Sequence, residues 1–298
     1  MQRKLISFDW AIKRILRSKA NFDILEGFLS ELLFEDIIIL EILESESNQE
    51  QKDDKFNRLD IKVKNQNGEI ILIEIQYSSE LDYLQRILYA SSKAIAEHLK
   101  EAEPYSKVSK IISISILYFD FGDGDDYIYK GTTNFVGVHN HTQLKLNEKQ
   151  KELYKTDKVE KLYPEYYLIK VRNFNDNAKN SLDEWINFLK NEEIREHPTA
   201  KGLLKAKKTL DYLKMEEKEQ IQYNRYKQDR HHEASIYEST YVIGEKMGVK
   251  KGVKQGVKQE KLEIAKKSLS QGLDLATIKI ITGLTDSELG NLFNGRIQ

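Results

Sequence analysis

The chain has 298 residues, of which 47 are Lys or Arg and 48 are Asp or Glu, so its formal net charge is −1. This balance excludes a uniformly basic nucleic-acid-binding surface but not a local basic patch. Cysteine is absent, which excludes disulfides, a thiolate nucleophile and Cys-based metal sites. No apolar run approaches the roughly 18 residues of a membrane span, and charged residues interrupt the start of the sequence, where a signal peptide would be apolar. We therefore expect a cytoplasmic protein that does not enter a membrane.

The first part of the sequence predicts two helices and a strand. One helix begins near Ser7 and runs to about Arg17, and apolar residues at helical spacing predict a second helix with one buried face: Phe22, Leu25, Phe28, Leu29 and Leu32. The letters IIILEILES then predict a strand, and SNQEQKDD predicts a solvated loop. Residues 35–54 contain eight acidic residues and one Lys, so repulsion from phosphates makes this segment a poor surface for DNA.

A β-hairpin is predicted over residues 58–77. The letters RLDIKVK alternate with period two, the residues QNG (66–68) are typical of a turn, and GEIILIEIQY is a strongly apolar strand. Because side chains alternate along a strand, Glu74 and Gln76 lie on the same face. Whether Asp60 joins them depends on the register of the hairpin.

Two turn geometries are open, and they place Asp60 on opposite faces. A two-residue loop of Asn67 and Gly68 puts Asp60 opposite Ile75, whereas a three-residue loop with a left-handed Gly68 puts it opposite Glu74. Glycine fits both loops. The burial pattern favours the second register, since it also aligns the apolar residues of both strands in one layer: Leu59, Ile61, Val63, Ile71, Ile73 and Ile75.

The next part of the chain predicts further helices and strands. A helix over 80–100 places a row of apolar side chains on one face: Leu81, Leu84, Leu88, Ile95 and Leu99. A buried strand is predicted over 110–119, and further strands are predicted over 127–138 and 165–171. Ser181, Leu182, Asp183 and Glu184 form the pattern of a capping box, so a helix is expected to begin there.

Beyond Pro198 the composition changes, because residues 199–270 lack a strand pattern and are rich in Lys, Glu and Gln. We therefore predict a first domain over 1–197, which contains the hairpin, and a helical tail over 198–298. The tail ends in a predicted helical hairpin, in which Gly283 suits the end of one helix and TDSE caps the next.

Within the tail, glycines recur every four residues: Gly244, Gly248, Gly252 and Gly256. Each costs a helix roughly 1 kcal/mol relative to Ala, but a row of glycines lets two helices approach closely. We predict a homo-oligomer formed through these C-terminal helices. A lysine-bearing arm on DNA and a weakly structured spacer are the alternatives for this repeat.

Two carboxylates on one face of a hairpin require an explanation, because like charges directly opposed destabilise a sheet. A bound divalent cation is the simplest explanation, since Mg²⁺ is held by one or two carboxylates together with phosphate oxygens and water. The backbone carbonyl of Ile75 would point sideways and add a ligand. The sequence thus indicates Mg²⁺, or Mn²⁺, at Asp60, Glu74 and Ile75, where it would polarise a phosphoryl oxygen and lower the pKa of a water.

The arrangement Asp60-x13-Glu74-Ile75-Gln76 in a hairpin, followed by a helix, resembles the PD-(D/E)XK nuclease superfamily. Within it, the chain is similar to the recombination-promoting nuclease and transposase family. The order of the matching segments is more specific than any one of them, and it covers nearly the whole chain: FDWAIKRIL, FLSELL, RLDIKV, ILIEIQ, YLQRILYASSKAIAEHL, VSKIISISILYFDF, SLDEWINFL, IGEKMGVKKGVKQG and IAKKSLSQGLDLATIKIITGLTDSELGNL.

The resemblance implies a metal-dependent DNA endonuclease of bacterial origin, with Asp60 and Glu74 as catalytic metal ligands and Gln76 positioning the attacking water. It also implies a supporting metal ligand, Glu31, in the FLSELL helix. Gln76 stands where the superfamily has Lys, and glutamine can orient water but supplies no positive charge. Leu59 stands where the superfamily has Pro, at a position that supplies no ligand.

Three basic residues are predicted to supply the missing charge or to contact DNA phosphates: Lys62, Arg86 and Lys93. Arg86 and Lys93 share a helical face with Tyr83, opposite the predicted leucine row. The fold that we expect is an α/β, restriction-endonuclease-like mixed sheet flanked by helices 8–33 and 80–100, with a helical C-terminal region. The alternatives to an active nuclease are a catalytically weak protein that binds DNA or a partner through its tail and, less favoured, a strand-transferring transposase.

Overall fold

A six-stranded mixed sheet forms the centre of the chain. The computed structural model describes residues 5–14, 16–43, 60–99 and 102–294, so the predicted loop SNQEQKDD and Leu59 lie outside the described residues. In sequence order the strands are β1 (Ile39–Leu43), β2 (Ile61–Asn65), β3 (Ile70–Gln76), β4 (Ile111–Leu117), β5 (Ile128–Gly131) and β6 (Glu165–Lys170). They lie in the order β1-β2-β3-β4-β6-β5, in which β3, β4 and β6 are parallel and the other pairs are antiparallel.

Helices flank the sheet and continue into the tail. Their bounds are α1 (Phe8–Arg14), α2 (Phe22–Leu33), α3 (Tyr83–His98), α4 (Glu148–Tyr154), α5 (Ser181–Asn191), α6 (Leu203–Thr209), α7 (Glu217–Ser270), α8 (Leu275–Thr282) and α9 (Asp286–Asn294). The mixed sheet with flanking helices and a helical C-terminal region confirms the predicted fold class. No described helix combines the length and the apolar character that a membrane span requires.

The β2–β3 hairpin has the three-residue loop. Ile61 pairs with Ile73, and the Asn65 N–H donates to the Glu69 carbonyl at 3.0 Å, which closes the loop. Gly68 has a φ of 77°, the left-handed conformation that this loop requires. The β2–β3 hairpin therefore has the register that the burial pattern in the sequence favours.

The sheet has an apolar layer on each face. One face packs against α1, α2, α5 and α6, and all the described members of the predicted layer are buried there: Ile61, Val63, Ile71, Ile73 and Ile75. In this layer the ring of Phe28 lies edge-on to Phe8 and tilted to Trp185, with centroid distances of 5.4 and 5.5 Å. On the opposite face, α3 packs against Ile70 and Leu72 through Ala94.

The face by which α3 packs is not the one that the leucine row predicts. Leu81, Leu84 and Leu88 are exposed, and the buried residues are Tyr83, Ile87, Ala90, Ser91 and Ala94. Small side chains let the helix lie close to the sheet, and close packing decides which of two apolar rows is buried. The leucines of the predicted apolar row therefore do not form the packing face, whereas its member Ile95 packs against the sheet.

Two predicted local features also differ in the structure. The strand expected over 127–138 is shorter, because β5 ends at Gly131. The helix α5 is capped by Asn180, whose side chain accepts a hydrogen bond from the Asp183 N–H, and Ser181 is already its first residue. The expected capping box therefore begins one residue too late.

The first compact unit of the chain extends beyond the domain boundary that composition predicts. The structure divides the chain into Met1–Gln228 and Asp229–Gln298, whereas we predict a boundary at 197/198. The difference arises because residues after 198 contribute buried side chains to the main core: Leu203, Ala206, Leu210 and Tyr223. The Tyr223 hydroxyl also accepts a hydrogen bond from the Ser7 N–H at 3.0 Å.

The second unit contains most of α7 together with α8 and α9. Its small core is formed by Ala265, Ile278, Leu284 and Leu289. Gly283 ends α8 in the left-handed conformation, as predicted. Thr285 and Glu288 exchange the two hydrogen bonds of the predicted capping box, at 3.0 and 3.3 Å.

We predict that Gly27→Ala destabilises the fold, although Ala is the better helix former. A Cβ at Gly27 would overlap with the carbonyl group of Lys201, which accepts a hydrogen bond from Trp185 Nε1. Overpacking of this kind costs roughly 1–3 kcal/mol. The matched control is Gly252→Ala in α7, where the Cβ meets open space and the helix gains roughly 1 kcal/mol. Thermal unfolding followed by circular dichroism checks both, and a Gly27→Ala variant as stable as the parent would contradict the packing.

Candidate metal centre

The end of the β2–β3 hairpin brings Asp60 and Glu74 together. Continuing the register by one residue beyond the pair Ile61–Ile73 places Asp60 opposite Glu74. The carboxylate of Asp60 turns toward the next residue of β3, because its Oδ2 accepts a hydrogen bond from the Ile75 N–H at 2.6 Å. The two acids and the Ile75 backbone therefore form one local group.

Helix α1 supplies the charged neighbours of Asp60. Lys13 Nζ lies 3.2 Å from Asp60 Oδ1 and 2.8 Å from Asp9 Oδ1, so one ammonium group joins the two carboxylates. Just after α1, Arg17 donates to the Asp60 backbone carbonyl at 2.9 Å. The side chain of Asp60 is only 10% exposed, whereas that of Lys13 is 43% exposed. Lys13 thus connects a nearly buried acid to the protein surface.

Helix α3 and the segment before it supply the neighbours of Glu74. Arg86 donates from Nη2 to Glu74 Oε1 and from Nη1 to both oxygens of Glu80, the latter at 2.7 Å. Gln76 Nε2 donates to Glu80 Oε1 at 2.9 Å and to the Ser78 carbonyl at 3.0 Å. Glu80 therefore holds both Arg86 and Gln76 in place beside Glu74.

Both acids are harder to ionise than ordinary carboxyl groups. Burial raises the pKa of Glu74 to about 7; the Arg86 guanidinium opposes this effect, and the charges of Asp60 and Glu80 add to it. Burial also raises the pKa of Asp60, while Lys13 and the Ile75 N–H lower it. A positive charge in addition to those of Lys13 and Arg86 would favour the ionised form of both acids.

These residues fit a hard divalent cation. Glu74 Oε2 is buried and accepts no hydrogen bond of normal geometry from the described residues, and the neighbouring Tyr83 hydroxyl helps to lower the pKa of this carboxyl. Within the part of the chain that the structure describes, no three Asp, Glu or His side chains cluster closely enough to hold a metal by themselves. Two carboxylates with water and phosphate oxygens are, however, the usual ligands of Mg²⁺.

Glu31, the predicted supporting ligand, has other partners. Its Oε2 accepts from Ser181 Oγ at the start of α5, and its Oε1 accepts from the Lys201 N–H at 3.0 Å. Both carboxylate oxygens therefore hold α2 to the helices beside it. A supporting role of Glu31 at the metal stays a prediction, and it would require Glu31 to give up one of these hydrogen bonds.

The three basic residues that we predict to contact phosphates all lie near carboxylates. Lys62 Nζ lies 2.9 Å from Glu97 Oε2, and Lys93 Nζ lies 3.9 Å from Glu97 Oε1. Arg86 is shared between two acids, and its side chain is largely buried. Their contacts with DNA stay predictions, and the structure gives each of them a role in neutralising an acid.

Two residues of this centre, Lys13 and Glu80, are not among those that the sequence predicts. Asp9 and Lys13 are four residues apart on α1, and Asp9 is 2% exposed among buried apolar neighbours. An acid on the apolar face of a short helix is the signal that could have drawn attention to this pair. Glu80 carries no comparable signal in the sequence.

The fold indicates a class of protein. A mixed six-stranded sheet with flanking helices and a helical C-terminal region is consistent with the PD-(D/E)XK nucleases. Residues 6–239 match the family model described as PD-(D/E)XK nuclease family transposase, and residues 258–294 match that of the Rpn/YhgA-like nuclease family, C-terminal HTH domain.

The first match spans well over half of the chain, so the chain belongs to the PD-(D/E)XK nuclease family of transposases. This confirms the resemblance seen in the sequence and connects the chain with nuclease activity and mobile elements. Among curated proteins and solved structures, none matches the chain significantly.

We predict that Glu74→Gln stabilises the cation-free protein at about pH 8 but has little effect at about pH 4. Because folding raises the pKa of Glu74 from 4.5 to about 7, the protonated group favours the folded state at low pH. This contribution is lost as the pH rises through 7, whereas Gln stays neutral. Urea denaturation followed by tryptophan fluorescence measures the effect, since both Trp10 and Trp185 are buried in the first unit.

The matched control for this experiment is Glu148→Gln, because Glu148 is 90% exposed at the start of α4. Its free energy of unfolding should follow that of the parent at both pH values. A stabilisation by Glu74→Gln that is equal or larger at low pH would contradict the assigned environment of Glu74.

Proposed function

We propose that the protein is an endodeoxyribonuclease that requires Mg²⁺ or Mn²⁺ and hydrolyses phosphodiester bonds in DNA. The observation that supports this proposal best is the pairing of Asp60 with Glu74, whose buried Oε2 accepts no hydrogen bond of normal geometry from the described residues. Membership of a nuclease family makes hydrolysis of a phosphodiester the reaction that such a pair would serve. The proposed place of action is the cytoplasm, in a bacterial cell.

The ligands proposed for the cation are Asp60, Glu74 and the backbone carbonyl of Ile75. When bound, the cation would polarise a phosphoryl oxygen and lower the pKa of a nearby water. Gln76 would orient the attacking water through its Oε1, because its Nε2 already donates to Ser78 and Glu80. Glutamine at this position of the motif can therefore position the water. The positive charge that Lys would supply to the transition state must then come from another group.

Arg86 must release Glu74 for the cation to bind, and the structure provides it with a second partner. Both Glu80 oxygens lie 2.7 Å from Arg86 Nη1. Arg86 would therefore remain paired with Glu80 after Glu74 turns to the cation, so no guanidinium is left buried without an acid. This arrangement allows the site to change partners without opening the core.

We predict that Asp60→Ala abolishes cleavage of supercoiled plasmid in Mg²⁺, as EDTA does for the parent protein. Removing Asp60 deletes one of two carboxylate ligands, so the cation is lost or misplaced. The control is Asp125→Asn, since Asp125 is exposed in the segment between β4 and β5. Cleavage that survives Asp60→Ala in a folded variant would show that the site is misplaced or that a contaminant cuts.

A second candidate function is DNA binding through the tail without strong catalysis. It is favoured by the match of residues 258–294 to an HTH domain and by a row of lysines on α7. The row repeats every four residues along an exposed face: Lys246, Lys250, Lys254 and Lys258. Like charges at this spacing destabilise a helix by roughly 0.2–0.5 kcal/mol per pair, a cost that phosphates would offset.

For this candidate we predict that replacing Lys246, Lys250 and Lys254 with Gln weakens binding to duplex DNA and lowers the salt dependence. Each lost phosphate contact should reduce the slope of log affinity against log salt by about one. Fluorescence anisotropy on the Asp60→Ala background measures binding without cleavage. The control replaces three exposed lysines of the first unit, Lys145, Lys149 and Lys155; equal losses in both triple variants would contradict a specific role for the row.

The homo-oligomer stays a prediction. The glycines of α7 face open space, so a second helix could approach them closely. Valines next to them are exposed on the same helix: Val249, Val253 and Val257. Sedimentation of the parent and of Gly248→Leu would distinguish a dimer that uses this face from a monomer.

A further inference from the structure

We propose that Lys13 is a further catalytic residue, which supplies to the scissile phosphate the positive charge that Gln76 cannot supply. The inference rests on the proposed nuclease function. It assigns a role to a residue of α1 that lies 47 residues before Asp60 in the sequence, so the two residues do not belong to one local motif.

The position of the ammonium group supports this assignment. Lys13 Nζ lies 3.2 Å from Asp60 Oδ1, next to the carboxylate that would hold the cation. A phosphoryl oxygen bound to the same cation would lie within reach of Lys13 as well. The side chain is 43% exposed, so the ammonium group is accessible to a substrate, whereas Asp60 is nearly buried.

Lys13 also has an anchor that does not depend on Asp60. Asp9 Oδ1 lies 2.8 Å from Nζ, four residues earlier on the same helix. If a metal ion neutralised Asp60, the attraction between Lys13 and Asp60 would weaken and the ion pair with Asp9 would remain. An ammonium group has three N–H donors, so contacts with Asp9 and Asp60 leave one donor for a phosphoryl oxygen.

Two of the three basic residues that the sequence predicts for this charge are committed to acids away from Asp60. Arg86 lies between Glu74 and Glu80, and its side chain is 18% exposed. Lys62 lies against Glu97 with 11% of its side chain exposed. Of the basic residues considered for this charge, Lys13 combines contact with a proposed metal ligand and access to solvent.

Charge develops on the phosphoryl oxygens during attack by water, and a fixed donor at that point stabilises the transition state more than the ground state. Removal of one such donor typically lowers kcat by about 10²–10³-fold. Lys13→Ala should therefore lower kcat by this amount with little change in KM for DNA. Lys13→Arg keeps a cation and should restore part of the rate.

The decisive comparison is between cleavage and cation binding in the same variant. The ammonium of Lys13 competes with a cation for Asp60, so Lys13→Ala should bind Mg²⁺ at least as tightly as the parent while cleaving more slowly. Isothermal titration calorimetry with Mg²⁺ alone measures binding, and plasmid cleavage at saturating Mg²⁺ measures kcat. The matched control is Lys205→Ala, which removes a 39% exposed lysine paired with Asp23 and should leave both quantities unchanged.

Two outcomes would overturn the assignment. A parental kcat in Lys13→Ala would show that Lys13 only neutralises Asp60 before the cation binds. A joint loss of Mg²⁺ binding and thermal stability would show that Lys13 acts by holding the fold. Failure of the parent protein itself to cleave in Mg²⁺ is a separate result, which would refute the proposed nuclease function and this role with it.

Discussion

The structure depends on how two acids of like charge are held opposite each other at the end of the β2–β3 hairpin. Asp60 and Glu74 are nearly buried, and both burial and mutual repulsion disfavour their ionised forms. One basic side chain contacts the pair from each flanking helix: Lys13 from α1 contacts Asp60, and Arg86 from α3 contacts Glu74. The helices on the two faces of the sheet therefore cover apolar layers and also deliver the counter-charges that let the two acids coexist.

Each of these two basic side chains has a second acid as a partner. Lys13 is joined to Asp9 as well as Asp60, and Arg86 is joined to Glu80 as well as Glu74. A divalent cation between Asp60 and Glu74 would take over their neutralisation, and neither Lys13 nor Arg86 would lose its last carboxylate. Under the proposed metal site, the arrangement that neutralises the two acids in the cation-free fold would also leave room for a metal, in keeping with the nuclease family to which the chain belongs.

Much of this fold follows from the sequence because the hairpin is governed by local rules. A slip of one residue in β2 would turn Ile61 away from the face on which Ile73 is buried, and Gly68 permits the loop that prevents it. The buried face of α3 could not be predicted in the same way, since hydrophobicity favours Leu84 whereas close approach to the sheet favours Ala94. The contact of Lys13 with Asp60 joins distant parts of the chain, so spacing along the sequence gives no indication of it. Composition likewise conceals the packing of Leu203 and Tyr223, which moves the boundary of the first unit.

The most direct test of the central claim is a crystal structure of the protein with Mn²⁺, with the ion located by its anomalous scattering. We expect one strong peak bonded to carboxylate oxygens of both Asp60 and Glu74, with Arg86 still paired to Glu80. A peak at another group of residues, or unchanged ion pairs and no peak at the hairpin at saturating Mn²⁺, would contradict the assignment of these two acids as the metal site.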